Sequence, residues 1–387
     1  PWPTRLLPLP GAHAKWRAEK KRIGQAIAKL KADGGEKKNA AAIKKLESER
    51  KPEPKVRALW DRGEPSPQYV LVRGNYQRAG ALVELNTPVV LTGSKSNYVP
   101  KPPWSGAKKT GRRLAFAKWM VRPEHPLTAR VMVNRIWKHH FGKGIVRTLD
   151  NFGKAGARPS HPELLDWLAV DFLQNDWNLK EMLRLMVHSR TFMQESAWRE
   201  SIDDPANRLF ARGPSYRLDA EVLRDIGLWA SGLLSPHMGG AGVKPYQPDG
   251  MWKALAHPGS NTKQYVRDKG ELLYRRSLYV YWKRTSPHPM MTLFDAPDRE
   301  SSCVQRQRTN TGLQSLGLLN ETQRVEMGRV LAERLLLEAK SDQARVNLLF
   351  KLLASRDASA VEQQSIANLV NNLRSHYAES KDDARAL

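Results

Sequence analysis

The sequence predicts a mainly α protein: a multi-helix globular core with a few short β-strands and long ordered loops. Two observations carry this expectation. Apolar residues recur at helical spacing through most of the 387 residues, and the β-rich runs are short and separated by Gly and Pro. Hydrophobic residues make up 40% of the chain, which is typical of a globular protein, so we expect a packed core.

Residues 1–68 are predicted to form a basic helical arm and a linker from a preceding domain. Apolar residues lie at helical spacing at Ile23 and Ile27, the pattern breaks at two glycines, and it resumes at Ile43. This pattern indicates a two-helix hairpin. Because the chain starts at Pro1 rather than Met, we expect it to be part of a longer protein.

Residues 69–110 are predicted to hold a small strand element and a loop, because the runs YVLVRG, ALVEL and PVVL are rich in β-branched residues. Residues 111–233 follow as a helical core. Its predicted helices cover residues 114–121 and 126–141 and segments opened by Ser160 with Glu163, Asn178 with Glu181, Asp204 and Asp219. Ser160 and Glu163 have the spacing of a capping box, in which each side chain covers a free backbone amide.

Residues 234–387 are predicted to contain a long loop, a strand, a polar loop and C-terminal helices packed on the core. The loop, residues 234–272, is rich in Gly and Pro. The run SLYVYW at 277–282 indicates the strand. Helices are expected at 313–339 and 345–353, and a last one is capped by Ser359 and Glu362.

The chain is strongly basic, with a net charge of +25 from 64 Lys and Arg against 39 Asp and Glu. Between residues 95 and 147 there are 13 Lys and Arg and a single acid, Glu124. Such a surface favours a polyanionic partner, either an anionic polysaccharide, a nucleic acid or an anionic lipid. The candidate polyanion contacts are Lys108, Lys109, Arg112 and Arg113. The alternative is that the charge only keeps the protein soluble.

Several site classes have no support in the sequence. Cys303 is the single cysteine, which excludes an internal disulfide, a cysteine-rich zinc site and a CxxCH haem attachment in this chain. The motifs GxxxxGK[ST], GxGxxG, GxSxG and HExxH are all missing. No apolar run is long enough to span a membrane, so we expect no span, no metal site and no cofactor within this chain.

A first candidate site lies on the helix predicted at 126–141, where Arg130, Asn134 and Arg135 form a polar strip. Paired arginines there could bind a carboxylate or sulfate. The alternative is structural, with Arg130 and Arg135 paired to Asp166 or Glu163. His139 and His140 are adjacent and do not have the spacing of a helical metal site.

A second candidate is the polar loop between the predicted strand and the next helix. It contains Asp295, Asp298, Arg306, Arg308, Thr309 and Asn310. Functional groups favour loops held by rigid elements. The alternatives are a hard-cation site at the two aspartates, or an Asp–Arg network that locks the last helices onto the core.

Three long segments resemble a known family: RPEHPLTARVMVNRIWKHHFGKGIVRTLDNFGKAGARPSHPELLDWLA, RLDAEVLRD and RRSLYVYWKRTSPHPMMTLFDAPDRESSCVQRQRTNTGLQSLGLLN. They are similar to the planctomycete-type proteins of unknown function, domain 1553, which form the C-terminal domain of large exported proteins often linked to a cytochrome c module. Two positions depart from the family pattern: Asn75 where an acid is expected, and Gly312 where a proline is expected.

The resemblance implies export to the periplasm or cell envelope, and haem c in a separate domain of the parent protein. It implies no catalytic residues. We therefore expect an exported binding or assembly module whose basic face meets an anionic polymer or another domain of its parent. The alternative is an enzyme acting on polysaccharide or coupled to the haem domain. A nucleic-acid binder is a third class, against which the implied export and the missing recognition motif argue.

Overall fold

The computed structural model describes residues 4–8, 11–59, 65–92, 98–107, 109–380 and 382–383. It confirms a mainly α fold with two small two-stranded sheets. The chain forms two compact units, residues 1–133 with 163–181, and residues 134–162 with 182–387. The division into four segments expected from the sequence stays a prediction.

The arm of the first unit consists of a helical hairpin and a sheet. Its elements are β1 (Thr4–Pro8), α1 (Ala12–Ala32), α2 (Gly35–Lys38), α3 (Ala40–Ser48) and β2 (Lys55–Leu59). Ile23, Ile27 and Ile43 are buried together, which confirms the hairpin read from their spacing. The β1 and β2 strands pair antiparallel, from Thr4 opposite Leu59 to Pro8 opposite Lys55.

A second hairpin follows, with β3 (Gln68–Leu71) and β4 (Ala79–Val83) paired antiparallel and every strand residue exposed. The strand predicted at PVVL is wrong, because this run forms the short helix α4 (Val89–Thr92). The amide of Leu91 donates to the carbonyl of Pro88, which starts a helical turn despite the β-branched side chains.

Helices of the predicted core come next: α5 (Arg112–Met120), α6 (Thr128–Phe141), α7 (Pro162–Gln174) and α8 (Leu179–Val187). The boundary between the two units falls within α6 and α8 and at the start of α7. Leu165, Leu168 and Phe172 are buried on one face of α7, as the pattern predicts.

Two predicted helix starts differ from the structure. The hydroxyl of Ser160 donates to the carbonyl of Ile145 and contacts the His161 ring, and α7 begins at Pro162, so the predicted capping box is wrong. No helix starts at Asp204. Its carboxylate accepts hydrogen bonds from the amides of Arg208 and Leu209, both at 2.7 Å, and this closes a turn instead.

The second unit is organised around α9 (Ala220–Ser231), which contacts α11, α13 and α14. The remaining helices are α10 (Met251–Leu255), α11 (Pro289–Leu293), α12 (Gly312–Asn320), α13 (Thr322–Glu338), α14 (Asp342–Ala354) and α15 (Ala360–Glu379). The capping box of Ser359 and Glu362 is confirmed at the start of α15. The helix predicted at 313–339 is interrupted at Glu321, whose side chain caps α13 by accepting from the amide of Arg324.

The strand predicted at SLYVYW is also wrong. Residues Ser277–Tyr279 form a 3-10 turn, and Val280 makes one isolated parallel bridge with Val243. Side chains of α9 hold this segment, since Asp225 accepts from the amide and hydroxyl of Ser277 at 2.8 and 2.7 Å. These bonds occupy groups that a neighbouring strand would otherwise bind.

Candidate functional site

A cluster of charged side chains forms in the second unit where the start of α9 meets the loop of residues 294–311. Arg306 binds Glu221 through two hydrogen bonds of 2.6 and 3.1 Å, and it lies 3.6 Å from Asp219. Burial alone would raise the pKa of Glu221, but the hydrogen bond from Arg306 outweighs it and the pKa is lowered. Arg306 and Glu221 therefore form a matched ion pair with little free capacity.

Arg308 is less well satisfied than Arg306. Its guanidinium lies over the ring of Tyr216, 4.3 Å from the ring centre, and its Nη2 is 3.5 Å from Asp219 Oδ1. Its Nε is buried and has no hydrogen-bond partner among the described residues. The stacking fixes the plane of the guanidinium and leaves a donor unused.

Asp295 connects this loop to the segment before α9. Its carboxylate accepts a hydrogen bond from Arg217, and it accepts from the amide of Thr309 at 2.7 Å and from the Thr309 hydroxyl at 3.0 Å. Burial raises the pKa of Asp295, but these three donors together hold it below its usual value. Asp295 thus acts as the acceptor at the centre of a structural network.

Arg308 also lines a polar cleft of about 320 Å³. The cleft is lined by Phe141, Gly142, Lys143, Pro205, Ala206, Asn207, Arg212, Gly213, Pro214, Ser215, Tyr216, Gln305 and Arg308. Among these residues Lys143, Arg212 and Arg308 are cationic and none is acidic. Such a lining attracts an anion.

Two of these cations have backbone partners that place them. The ammonium of Lys143 donates to the carbonyl of Ala206 at 2.9 Å. Arg212 donates to the carbonyls of Asp204 and Pro205, both at 2.9 Å, and stacks on Trp198. Because carbonyl oxygens carry no full charge, Lys143 and Arg212 keep their positive charge available to the cleft.

Lys138 on α6 was not among the residues selected from the sequence as site candidates. Its side chain is 8% exposed, and its ammonium makes no hydrogen bond or ion pair with the described residues. Burial lowers its pKa, and the charges of Arg308 and Arg306 lower it further, while Asp219 opposes them. A buried cation without a partner is rare, which marks Lys138 as a functional candidate.

The next residue, His139, is tied to the cleft by its backbone. Its carbonyl accepts a hydrogen bond of 2.9 Å from the hydroxyl of Tyr216. Burial raises the pKa of Tyr216, and burial lowers the pKa of His139. The end of α6 and the aromatic support of Arg308 are therefore held together.

The polar strip predicted on α6 is divided by the structure. Arg130 belongs to the first unit and its Nε lies 2.7 Å from Asp166, which is the structural pairing expected as the alternative. Asn134 is fully buried in the second unit, where its amide group binds both the N–H and the carbonyl of Val146, at 2.8 and 2.9 Å. Arg135 is exposed.

The other candidates lie at the surface. Asp298 is exposed and its carboxylate accepts from the amide of Glu300 at 2.9 Å, while Asn310 and Cys303 are also exposed. In the basic stretch Lys108 lies outside the described residues. Lys109 and Arg112 are half-buried, and Arg113 is exposed.

Two further searches covered only the part of the chain that the structure describes. In it, no group of three or more His, Cys, Asp and Glu side chains is placed to hold a metal ion. No helix there combines the length and apolarity needed to cross a membrane.

Comparison with known proteins adds one finding. The chain matches no curated protein and no solved structure. One family profile, described as PSD1, protein of unknown function (DUF1553), matches residues 112–370, which is about two thirds of the chain and includes α5 to α14. The cleft, Lys138 and the Asp295 network all lie inside the matched region, and the chain belongs to this family, DUF1553.

Proposed function

We propose that this chain is a binding domain that takes an anionic group, a carboxylate or sulfate of an acidic polysaccharide, into the cleft lined by Arg308. The observation that carries the proposal is the buried, unused Nε–H of Arg308 in a lining that contains three cations and no acid. A buried donor without an acceptor costs about 1–3 kcal/mol, which an incoming oxyanion would recover.

The geometry around Arg308 favours a planar anion. Stacking on Tyr216 holds the guanidinium in one orientation, and Asp219 approaches only Nη2, at 3.5 Å. Arginine presents its donors as a rigid fork that matches a carboxylate through two parallel hydrogen bonds. Gly142 supports the same arrangement, since an added Cβ there would come 2.9 Å from Tyr216 Cδ1.

The overall charge supports a polymeric partner. A net charge of +25 raises the local concentration of any polyanion at the surface and makes association sensitive to salt. Export to the cell envelope and a haem domain elsewhere in the parent protein, both implied by the family resemblance, belong to the same proposal.

The test is binding of the purified chain to polygalacturonate, a sulfated polysaccharide, a neutral polysaccharide and DNA at low and high salt. We expect salt-sensitive binding to the acidic polysaccharides. We expect Arg308→Gln to weaken that binding about tenfold, because the charged pair is lost. Arg276→Gln is the matched control, since Arg276 is an exposed arginine of the same unit and does not line the cleft.

Equal binding of Arg308→Gln and wild type would contradict the role of the cleft. It would direct attention to the basic stretch, where the charge reversal Lys109→Glu is the corresponding test. Stronger binding to DNA than to either acidic polysaccharide would favour the nucleic-acid alternative.

A further inference from the structure

We propose that Lys138 is a nucleophilic amine that condenses with the carbonyl carbon of an anionic aldehyde or ketone. This would give the domain a catalytic centre beside its binding cleft. The inference rests on the proposed function in one respect only, which is that the cleft supplies the partner for the anionic group.

The first argument is the surroundings of Lys138. A structural lysine that is buried normally pairs with a carboxylate. Here Glu221 is already occupied by two hydrogen bonds from Arg306, and Asp219 lies between two arginines, 3.6 Å from Arg306 and 3.5 Å from Arg308. No described carboxylate is left to pair with the amine.

The second argument is access. Only 8% of the Lys138 side chain is exposed, but its Nζ is not among the unpaired polar atoms that the fold seals from solvent. The same set of sealed atoms does include Arg308 Nε, which lies at the cleft. The amine of Lys138 is thus shielded along its apolar chain while its reactive end keeps contact with the surface.

The third argument is protonation. An amine attacks a carbonyl only in its neutral form. Burial is the largest influence that lowers the pKa of Lys138, and Arg308 and Arg306 act in the same direction, whereas Asp219 and Cys303 act against them. The result is a larger neutral fraction near pH 7 than an exposed lysine has.

The reaction needs no oxidant or reductant. The nitrogen lone pair of Lys138 forms a bond to the carbonyl carbon, and the carbonyl electrons move to oxygen. The oxygen then leaves as water with the two protons that the amine loses, so that a carbon–nitrogen double bond replaces the carbonyl. Asp219 is the carboxylate whose charge acts on this amine and is placed to carry a proton.

The experiment uses the whole chain and glyoxylate, a small anionic aldehyde, with cyanoborohydride to reduce any imine to a stable secondary amine. Peptide mapping by mass spectrometry then reports which lysines carry the carboxymethyl group. Lys253 and Lys340, both exposed, are internal controls in the same sample. We expect Lys138 to react at least about tenfold faster than either at neutral pH, because one pKa unit changes the neutral fraction tenfold.

A neutral aldehyde, glycolaldehyde, separates this inference from the proposed function. Preference for Lys138 with glyoxylate alone supports both the nucleophile and the anionic cleft. Preference with both aldehydes supports the nucleophile and contradicts the cleft. Reaction of Lys138 no faster than Lys253 with either aldehyde overturns the inference. Lys138→Arg keeps the charge and must remove the labelled peptide without changing the melting temperature by more than a few degrees.

Discussion

Asp295 and Thr309 are separated by 14 residues, yet the Asp295 carboxylate accepts hydrogen bonds from both the amide and the hydroxyl of Thr309, at 2.7 and 3.0 Å. Arg217 donates to the same carboxylate. The loop that carries Arg306 and Arg308 is closed by this contact. The position of the cleft arginines therefore depends on an aspartate that does not itself line the cleft.

We expect Asp295→Ala to lower the free energy of unfolding by about 2 kcal/mol, because Arg217 and the Thr309 amide lose their acceptor. Arg308→Ala is expected to cost less than about 1 kcal/mol, since its ion pair with Asp219 is long and a quarter exposed. Urea unfolding measures both. Asp298→Ala, an exposed aspartate of the same loop, is the control. Equal losses from Asp295→Ala and Asp298→Ala would rule out the network.

Asn134 is expected to be structural. We predict that Asn134→Ala lowers the free energy of unfolding by about 2–3 kcal/mol, because the N–H and carbonyl of Val146 are left buried without partners. Chemical denaturation of Asn134→Ala beside Asn310→Ala, which changes an exposed asparagine, tests this. Gly144→Ala should be destabilising as well, since its Cβ would lie 2.5 Å from the Val146 carbonyl oxygen. A stable Asn134→Ala variant would return this residue to the list of site candidates.

Arg224 joins α9 to two distant segments. Its guanidinium donates to Gln323 Oε1 at 2.7 Å and to the carbonyls of Arg275 and Leu273 at 2.9 and 2.8 Å. Burial lowers its pKa to about 10, so it stays charged at neutral pH. We expect Arg224→Met to cost about 3 kcal/mol or more, because three buried acceptors lose a charged donor.

Thermal unfolding of Arg224→Met and Arg276→Met compares a buried with an exposed arginine of the same unit. Melting temperatures that fall by the same amount would show that the loss is unrelated to the buried hydrogen bonds.

His288 predicts a pH dependence of stability. Burial lowers its pKa from 6.5 to about 4, although its ring bonds the carbonyl of Tyr246. The unfolded chain therefore binds a proton before the folded chain does. Stability is complete above pH 6.5 and falls as the pH drops towards 4, by up to about 3 kcal/mol.

Urea unfolding of wild type and His288→Gln at several pH values between 4 and 7 checks this prediction. We expect the difference in stability between them to shrink as the pH falls, because the variant has no proton to gain there. His237→Gln, at an exposed histidine, should keep the wild-type slope. A constant difference across this pH range would contradict the assignment.

Local patterns predicted the elements that depend on local interactions. The spacing of Ile23, Ile27 and Ile43 predicted the arm, and Ser359 with Glu362 predicted the start of α15. In both cases the partners are on the same or the next helix, within reach of a sequence pattern. Ser160 shows the limit, since its hydroxyl binds Ile145 rather than Glu163.

The sequence by itself therefore determined the helical class, the arm, the family resemblance and the polar residue types of the loop at 294–311. Only the tertiary structure decided which of these residues are paired and which are left without partners. Glu221 lies 85 residues before Arg306 and engages it fully, whereas Arg308 keeps an unpaired Nε and Lys138 is buried without a counterion. The physical reason is that burial and pairing depend on segments far apart in the chain, and spacing along one helix carries no information about what covers it.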